Sequence, residues 1–208
     1  MTGLTGLTTP LPERLILTDD PMRAGMLAAH WLDNAARIYE LRGMVGYTGR
    51  YKGAEIALLS FGYGVSAALL YLHDAAGLGA RRVVYIGECF SHSADVFVRD
   101  VVVPEGGDAT LLRLALAVSK EHGIPVKALP VETDDRFFLG EALPSAEVTD
   151  FASAAIAGYA AGHGIAALSV LTVSRNTKNG EAVEEHERQS RFHDAARLAF
   201  EVLVLRNT

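Results

Sequence analysis

Apolar and polar positions follow two recurring patterns along the chain. Short runs rich in β-branched residues, bounded by turn formers, mark strands buried on both faces. Between them lie stretches whose apolar residues recur every three or four positions, the mark of helices with one buried side. Val83, Val84 and Ile86 form the clearest run, bounded by Arg81-Arg82 and closed by Gly87. Arg14 to Leu17 reads as the first strand and ends at Thr18-Asp19-Asp20-Pro21. Asp20 suits an N-cap and Pro21 a first helical position. A helix is predicted from about Met22 to Tyr39, with Met26, Leu27, Trp31 and Ile38 on its apolar side.

Further along, Val45 to Phe61 predicts a hairpin turning at Lys52-Gly53, and Gly62-Tyr63-Gly64 breaks its second strand. Val65 to Ala76 is helical in composition, and Val96 to Val103 is a β-branched run. Leu111 to His122 is an amphipathic helix closed by Gly123. Val126 to Val131 is a strand between two prolines, and Glu132 to Ser145 a loop. A small-residue helix is predicted over Asp150 to His163, a strand over Ile165 to Val173, and a final helix from about Glu185 to Leu205. Alternation of this kind predicts one three-layer α/β/α domain over residues 1–208, and the hairpin makes its central sheet mixed.

Composition narrows the function. The chain has 208 residues, half of them hydrophobic, enough for a sizeable core. A net charge of -6 argues against a nucleic-acid partner, which needs a basic footprint. No apolar run reaches transmembrane length and the N-terminus lacks a signal-peptide pattern, so no membrane partner and a cytoplasmic location are expected. The single cysteine, Cys89, cannot form an internal disulfide. It reads as a buried structural thiol rather than a nucleophile. Asp19-Asp20 and Asp134-Asp135 have no His at ligand spacing, so no metal is expected. Gly62-Tyr63-Gly64 lacks the third glycine of a dinucleotide fingerprint, and no cofactor is expected. Glu184 to Glu187 reads as a solvated helix start.

In open α/β sheets ligands bind at the carboxyl ends of the strands. Gly87, Glu88, Cys89, Phe90 and Ser91 stand at such an end, and the first helix should aim its N-terminus and Arg23 at the same region.

Several segments, in order, resemble the nucleoside phosphorylase family, most closely its hexameric purine branch. Asp20 to Ala24 resembles its first phosphate loop, and Gly46 to Gly53 its G-x-T-G-x-Y-K-G hairpin. Gly62 to Val65 resembles its G-x-G-[IV] turn, and Tyr85 to Cys89 lies where the family has R-x-G-[ST]-C/A. Arg99 to Val103 resembles its R-D-V-V strand, Leu171 to Ser174 the strand before its catalytic acid, and Arg188 to Asp194 the start of its last helix.

The resemblance implies a small-molecule, nucleoside-like ligand and a homodimer or trimer of dimers. Arg23 matches a phosphate-binding arginine, and Arg42 an arginine lent across a dimer interface. Phe137 matches the aromatic that stacks on the base, and Tyr63 and Gly87 lie in matching segments. At other positions the chain departs from the family. Tyr85 replaces an arginine and Glu88 a hydroxyl residue of the phosphate site. Thr149-Asp150-Phe151-Ala152 aligns with the ribose-gripping V-E-M-E segment, with Asp150 on its first Glu, Phe151 beside it and Ala152 on its second. Arg175 stands where the family has its acid, and the sugar-capping histidine has no counterpart.

A phosphate dianion beside Glu88 would meet like charge, about 4 kcal/mol at 4 Å and an effective dielectric near 20. The residues leave the role of Glu88 open: a base that activates water, an acceptor for a ligand hydroxyl or amine, or a salt bridge to Arg23 sealing a vestigial site. Arg175 reads either as an anchor for an anionic ligand group or as a surface ion pair. The expectation is a family member acting on an N-glycosidic bond by hydrolysis in preference to phosphorolysis, with Glu88 and Arg175 as catalytic residues. The alternative is a repurposed member, a different enzyme or a ligand-binding or assembly protein.

Overall fold

The computed structural model describes residues 3–140, 144–184, 186–187 and 192–205. A mixed sheet runs through the molecule with helices on both faces. Its strands are β1 (Arg14–Thr18), β2 (Asp33–Leu41), β3 (Met44–Tyr51), β4 (Ala54–Ser60), β5 (Arg82–Ser91), β6 (Val101–Pro104), β7 (Val126–Leu129), β8 (Glu132–Thr133), β9 (Val148–Asp150) and β10 (Ala166–Asn176). The helices are α1 (Pro21–Trp31), α2 (Val65–Gly77), α3 (Ala109–His122), α4 (Asp135–Phe138), α5 (Ser153–Gly162) and α6 (His193–Val204). The main path across the sheet is β2-β3-β4-β1-β5-β10-β6-β7. The central strands β4, β1, β5 and β10 run parallel, while β2 and β3 form an antiparallel meander and β6 pairs antiparallel with β10.

Side chains alternate across the sheet, and the alternation builds two cores. Leu15, Leu17, Val83 and Tyr85 face α2 and α5, where Ala68, Leu72, Ile156 and Ala160 cover them. Ile16, Val84, Ile86 and Val170 face α1, α3 and α6, covered by Leu27, Leu111, Ala195 and Phe200. Strands buried on both sides have no polar face, which is why they read as unbroken apolar runs. The caps follow local chemistry. The Asp20 carboxylate accepts from the Met22 amide at 2.7 Å with Pro21 behind it, and Gly123 closes α3 at φ 64°.

The first helix is shorter than its pattern predicts. It stops at Trp31, Leu32 turns extended, and Asn34 takes φ 53°. Residues 33–41 then pair with β3 as an edge strand. Ala35, Ala36, Arg37 and Glu40 suit a helix locally, but pairing with β3 overrides that preference, and an exposed edge strand has no continuous apolar signal. Only the second half of the 96–103 run is strand, because Arg99 takes φ 75° before β6 begins. The 132–145 segment contains β8 and the one-turn α4, and its residues 141–143 lie outside the described ones. The small-residue helix starts at Ser153, since residues 148–150 are drawn into β9. The last helix begins at His193, and Arg188 to Arg191, in the segment resembling its start, lie outside the described residues.

Candidate functional site

The edge of β5 carries a gap. β1 pairs with it as far as Thr18 opposite Ile86, and β9 takes up the same edge from Cys89 onward. Gly87 and Glu88 stand between the two partners, with β10 on their other side. A strand end that loses its neighbour is where a sheet of this kind opens to a ligand.

The alternation places Tyr85 and Gly87 on the α2/α5 face and Glu88 on the α1/α6 face. A side chain on Gly87 would meet the Tyr85 hydroxyl at 2.1 Å, so the ring of Tyr85 lies over this glycine. Tyr85 is fully buried and donates its hydroxyl to Asp19 Oδ2 at 3.0 Å. The other oxygen of Asp19 pairs with Arg23, whose Nη1 also donates to Thr18 Oγ1 at 3.2 Å. The guanidinium of Arg23 lies 4.6 Å from the centroid of the Phe192 ring. Arg23 therefore stands at the strand ends, buried within a network of its own chain, with Asp19 as its ion-pair partner.

Electrostatics tie this cluster together. Burial pushes the Asp19 carboxyl above its usual range, and the nearby Glu88 charge adds to the rise while Arg23 opposes it. Burial works against the charge on Arg23, but Asp19 and Glu88 outweigh it and raise its pKa. Burial also raises the Tyr85 phenol. Glu88 is fully buried, and the Tyr63 hydroxyl donates to its Oε1 at 3.4 Å.

Above the gap stands a wall of rings. Phe138 stacks on Phe151 with centroids 3.7 Å apart, and Tyr63 leans on Phe151 at 5.1 Å. Phe90 packs edge-on to Phe138 at 5.0 Å, and Phe137 lies between Phe138 and His92. Phe137 and Phe138 come from α4, Phe90 from β5, and Tyr63 and Phe151 from the turns before α2 and α5. Arg175 lies past a bulge in β10, and its guanidinium sits 5.5 Å from the Phe90 centroid. Tyr63, Phe90, Phe137, Phe151 and Arg175 thus converge on one edge.

Three positions behave differently. Asp150 is buried and accepts from Thr133, from the Ser153 amide at 2.8 Å and hydroxyl at 2.9 Å, and from the Ala152 amide at 3.2 Å. Burial raises its pKa despite these bonds, and its geometry is that of a cap for α5. Arg42 is exposed at the β2–β3 turn with φ 54°. β3 and β5 stand three positions apart in the sheet, about 14 Å at the usual strand spacing, so Arg42 does not meet Glu88 within the chain. Cys89 is buried, and burial raises its thiol well above the ordinary value, which keeps it protonated and inert.

Sequence reasoning placed Phe90 at the strand end without giving it a role, and missed Phe138 and Phe192. The Phe137-Phe138 doublet was the available signal for the ring wall; nothing local pointed to Phe192. Asp19 was visible only as half of an acidic pair. Among the described residues no group of three or more His, Cys, Asp or Glu is placed to hold a metal. No helix among them is long and apolar enough to cross a membrane.

No protein-family model matches the chain. Individual relatives do. A purine nucleoside phosphorylase DeoD-type 2 of Aliivibrio fischeri is 30% identical over 220 residues, covering 92% of this chain and 93% of the relative. A purine nucleoside phosphorylase DeoD-type of Geobacillus kaustophilus is 32% identical over 226 residues, covering 95% of each. One of Tolumonas auensis is 30% identical over 222 residues, covering 93% of this chain and 94% of the relative.

Proposed function

The chain belongs to the nucleoside phosphorylase family, and from that premise we propose that it cleaves the N-glycosidic bond of a nucleoside-like ligand with water, not phosphate, as the acceptor. The observation that carries the reading is the commitment of Arg23 to Asp19. With Tyr85 bonded to the same carboxylate and the Glu88 carboxylate beside them, the guanidinium is already matched within its own chain. A phosphate dianion would lose its solvation there and meet like charge. Water needs no cationic clamp.

In this mechanism Glu88 takes a proton from water as its oxygen bonds to the anomeric carbon. The carbon–nitrogen bond breaks and its electron pair leaves with the base, whose nitrogen takes up a proton from solvent while Glu88 returns to solvent the one it accepted. Positive charge developing on the sugar ring is favoured by the carboxylates of Glu88 and Asp19. Arg175, always charged, cannot serve as the acid. Placed over Phe90, it stabilises the departing base by hydrogen bonding, while Phe137 and Phe151 offer ring faces for stacking. Tyr63, 58% exposed and bonded to Glu88, must move aside to admit the ligand.

The full burial of Glu88 favours a second reading, in which the cluster plugs the old site and the protein is a repurposed member that binds without cleaving. The location proposed is cytoplasmic, and the assembly a homodimer or larger, in which Arg42 reaches a neighbour's site. The test is base release from inosine, adenosine and uridine against phosphate concentration. Release independent of phosphate, with free sugar as product, supports hydrolysis. A rate that rises and saturates with phosphate overturns it, and binding without release favours the second reading.

A further inference from the structure

Phe151 stands at the gap with a face of its ring already taken. Phe138 stacks on it with centroids 3.7 Å apart and planes 20° from parallel. A flat ligand ring would stack on Phe151 in the same way, so the chain's own phenyl group fills the place such a ring would take. Both side chains are half-buried, and Phe90 meets the edge of Phe138 at 5.0 Å.

Phe138 is carried by α4, a single turn with no buried residue, and Leu139 just after it is 72% exposed. An element with so little buried surface opens at low cost. Its tie to α2 is a carboxylate: Asp135 Oδ2 accepts from the Val65 amide at 3.3 Å. The cap position of α2 is Gly64, which has no side chain to offer that amide. Gly64 also lets Asp135 approach, since a Cβ there would stand 3.2 Å from the same oxygen. Asp135 thus caps α2 from another segment, through an exposed hydrogen bond that water can replace. Thr133, just before the turn, stays with the body, bonded to Asp150 and accepting from the Ala154 amide at 3.0 Å. Gly140, just after it, takes φ 74°, a conformation that glycine enters and leaves freely.

We propose that α4 is an autoinhibitory lid that closes the candidate site upon itself, with Phe138 as its plug and the Asp135–Val65 bond as its latch. A ligand enters by exchanging its own flat ring for Phe138 on Phe151, and α4 swings out as the latch opens. The exchange admits ligands that carry such a ring, since a sugar alone has nothing to set against the lost stack. The inference rests on the reading that a ligand with a flat ring binds at this gap. It makes no use of Glu88 or of the acceptor.

The test is calorimetric titration of the intact protein with adenine, a flat ring that cannot itself be cleaved. Phe138→Ala removes the plug and should bind adenine about three- to tenfold more tightly than wild type, the worth of one aromatic pair. Asp135→Ala loosens the latch and should act in the same direction. Phe138→Trp, made with Trp31→Phe, keeps the plug and leaves it as the only tryptophan of the chain. Adenine should shift its emission to the red as the ring leaves Phe151 for water, and this readout stands even if Phe138→Ala fails to fold. The proposal is overturned if Phe138→Ala binds adenine no more tightly than wild type, or if the emission stays in place or moves to the blue. It is equally overturned if adenine binds none of these proteins at millimolar concentration. Base release from adenosine, followed in parallel, separates the two readings. Release without a gain of affinity in Phe138→Ala removes the lid and leaves hydrolysis standing. Tighter binding in Phe138→Ala without release from any variant keeps the lid and removes hydrolysis.

Discussion

The Tyr85 hydroxyl donates to Asp19 at 3.0 Å while its ring covers Gly87 so closely that no side chain fits there. The two strand ends beside the candidate site are thereby joined through one carboxylate, which Arg23 holds from its other oxygen. Glycine at this place is required by the residue two positions before it, not by a ligand.

Gly87→Ala should destabilise the fold by about 1–3 kcal/mol, the cost of overpacking a filled core. Tyr85 is fully buried and has nowhere to retreat. The double variant Tyr85→Ala with Gly87→Ala should lose less than the sum of its parts, because the clash is gone. Urea unfolding of the four proteins measures this coupling, and strict additivity would show that the ring does not rest on Gly87.

Tyr85→Arg with Glu88→Ser should raise phosphate affinity. The change removes one carboxylate and adds one guanidinium, a swing of two charges at the place where Arg23 is now neutralised. Base release in rising phosphate should change from flat to saturating. A response that stays flat would show that phosphate has no route to this gap.

Glu88→Gln keeps the shape and the Tyr63 contact but cannot take a proton. Glycoside hydrolysis should fall by about a hundredfold to ten-thousandfold. Unchanged release of the base would remove Glu88 from the mechanism.

Glu201 of α6 accepts from Lys52 at 2.6 and 2.8 Å and from Tyr51 at 2.8 Å, pinning the helix to the β3–β4 turn. Burial opposes its ionisation, but the Lys52 and Tyr51 bonds prevail and its pKa is lowered from 4.5. A carboxyl with a depressed folded pKa stabilises above its unfolded pKa and loses that contribution as pH falls through the folded value. Asp19 and Asp150, both raised, act in the opposite direction, so the effect is read as a difference from wild type. Glu201→Gln should lower the melting temperature at pH 7, and the gap should shrink as pH drops below about 4. A gap constant with pH would mean that Glu201 contributes by packing alone.

Light scattering at micromolar concentration should give a dimer or larger species. Arg42 lies too far from the gap in its own chain to act there, and only a neighbour can bring it close. A clean monomer would remove Arg42 from the site.

The sequence by itself determined the layers and pointed to the strand ends as the place for a candidate site. Strands buried on both faces must be apolar throughout, so β1, β4, β5 and β10 could be read from local composition. So could the Asp20 and Gly123 caps, whose chemistry lies within a few residues. The exposed edge strand β2 was hidden, because its pairing partner, not its own composition, makes it a strand. The same limit governs the site. Sequence placed Arg23 and Glu88 near one another but could not say that Asp19 would take Arg23, or that Tyr85 would reach the same carboxylate. Nor could it bring Phe192 from the far end of the chain onto the guanidinium. Ion pairs and ring contacts between distant segments depend on which side chains the sheet's alternation turns to the same face, and only the folded chain fixes that.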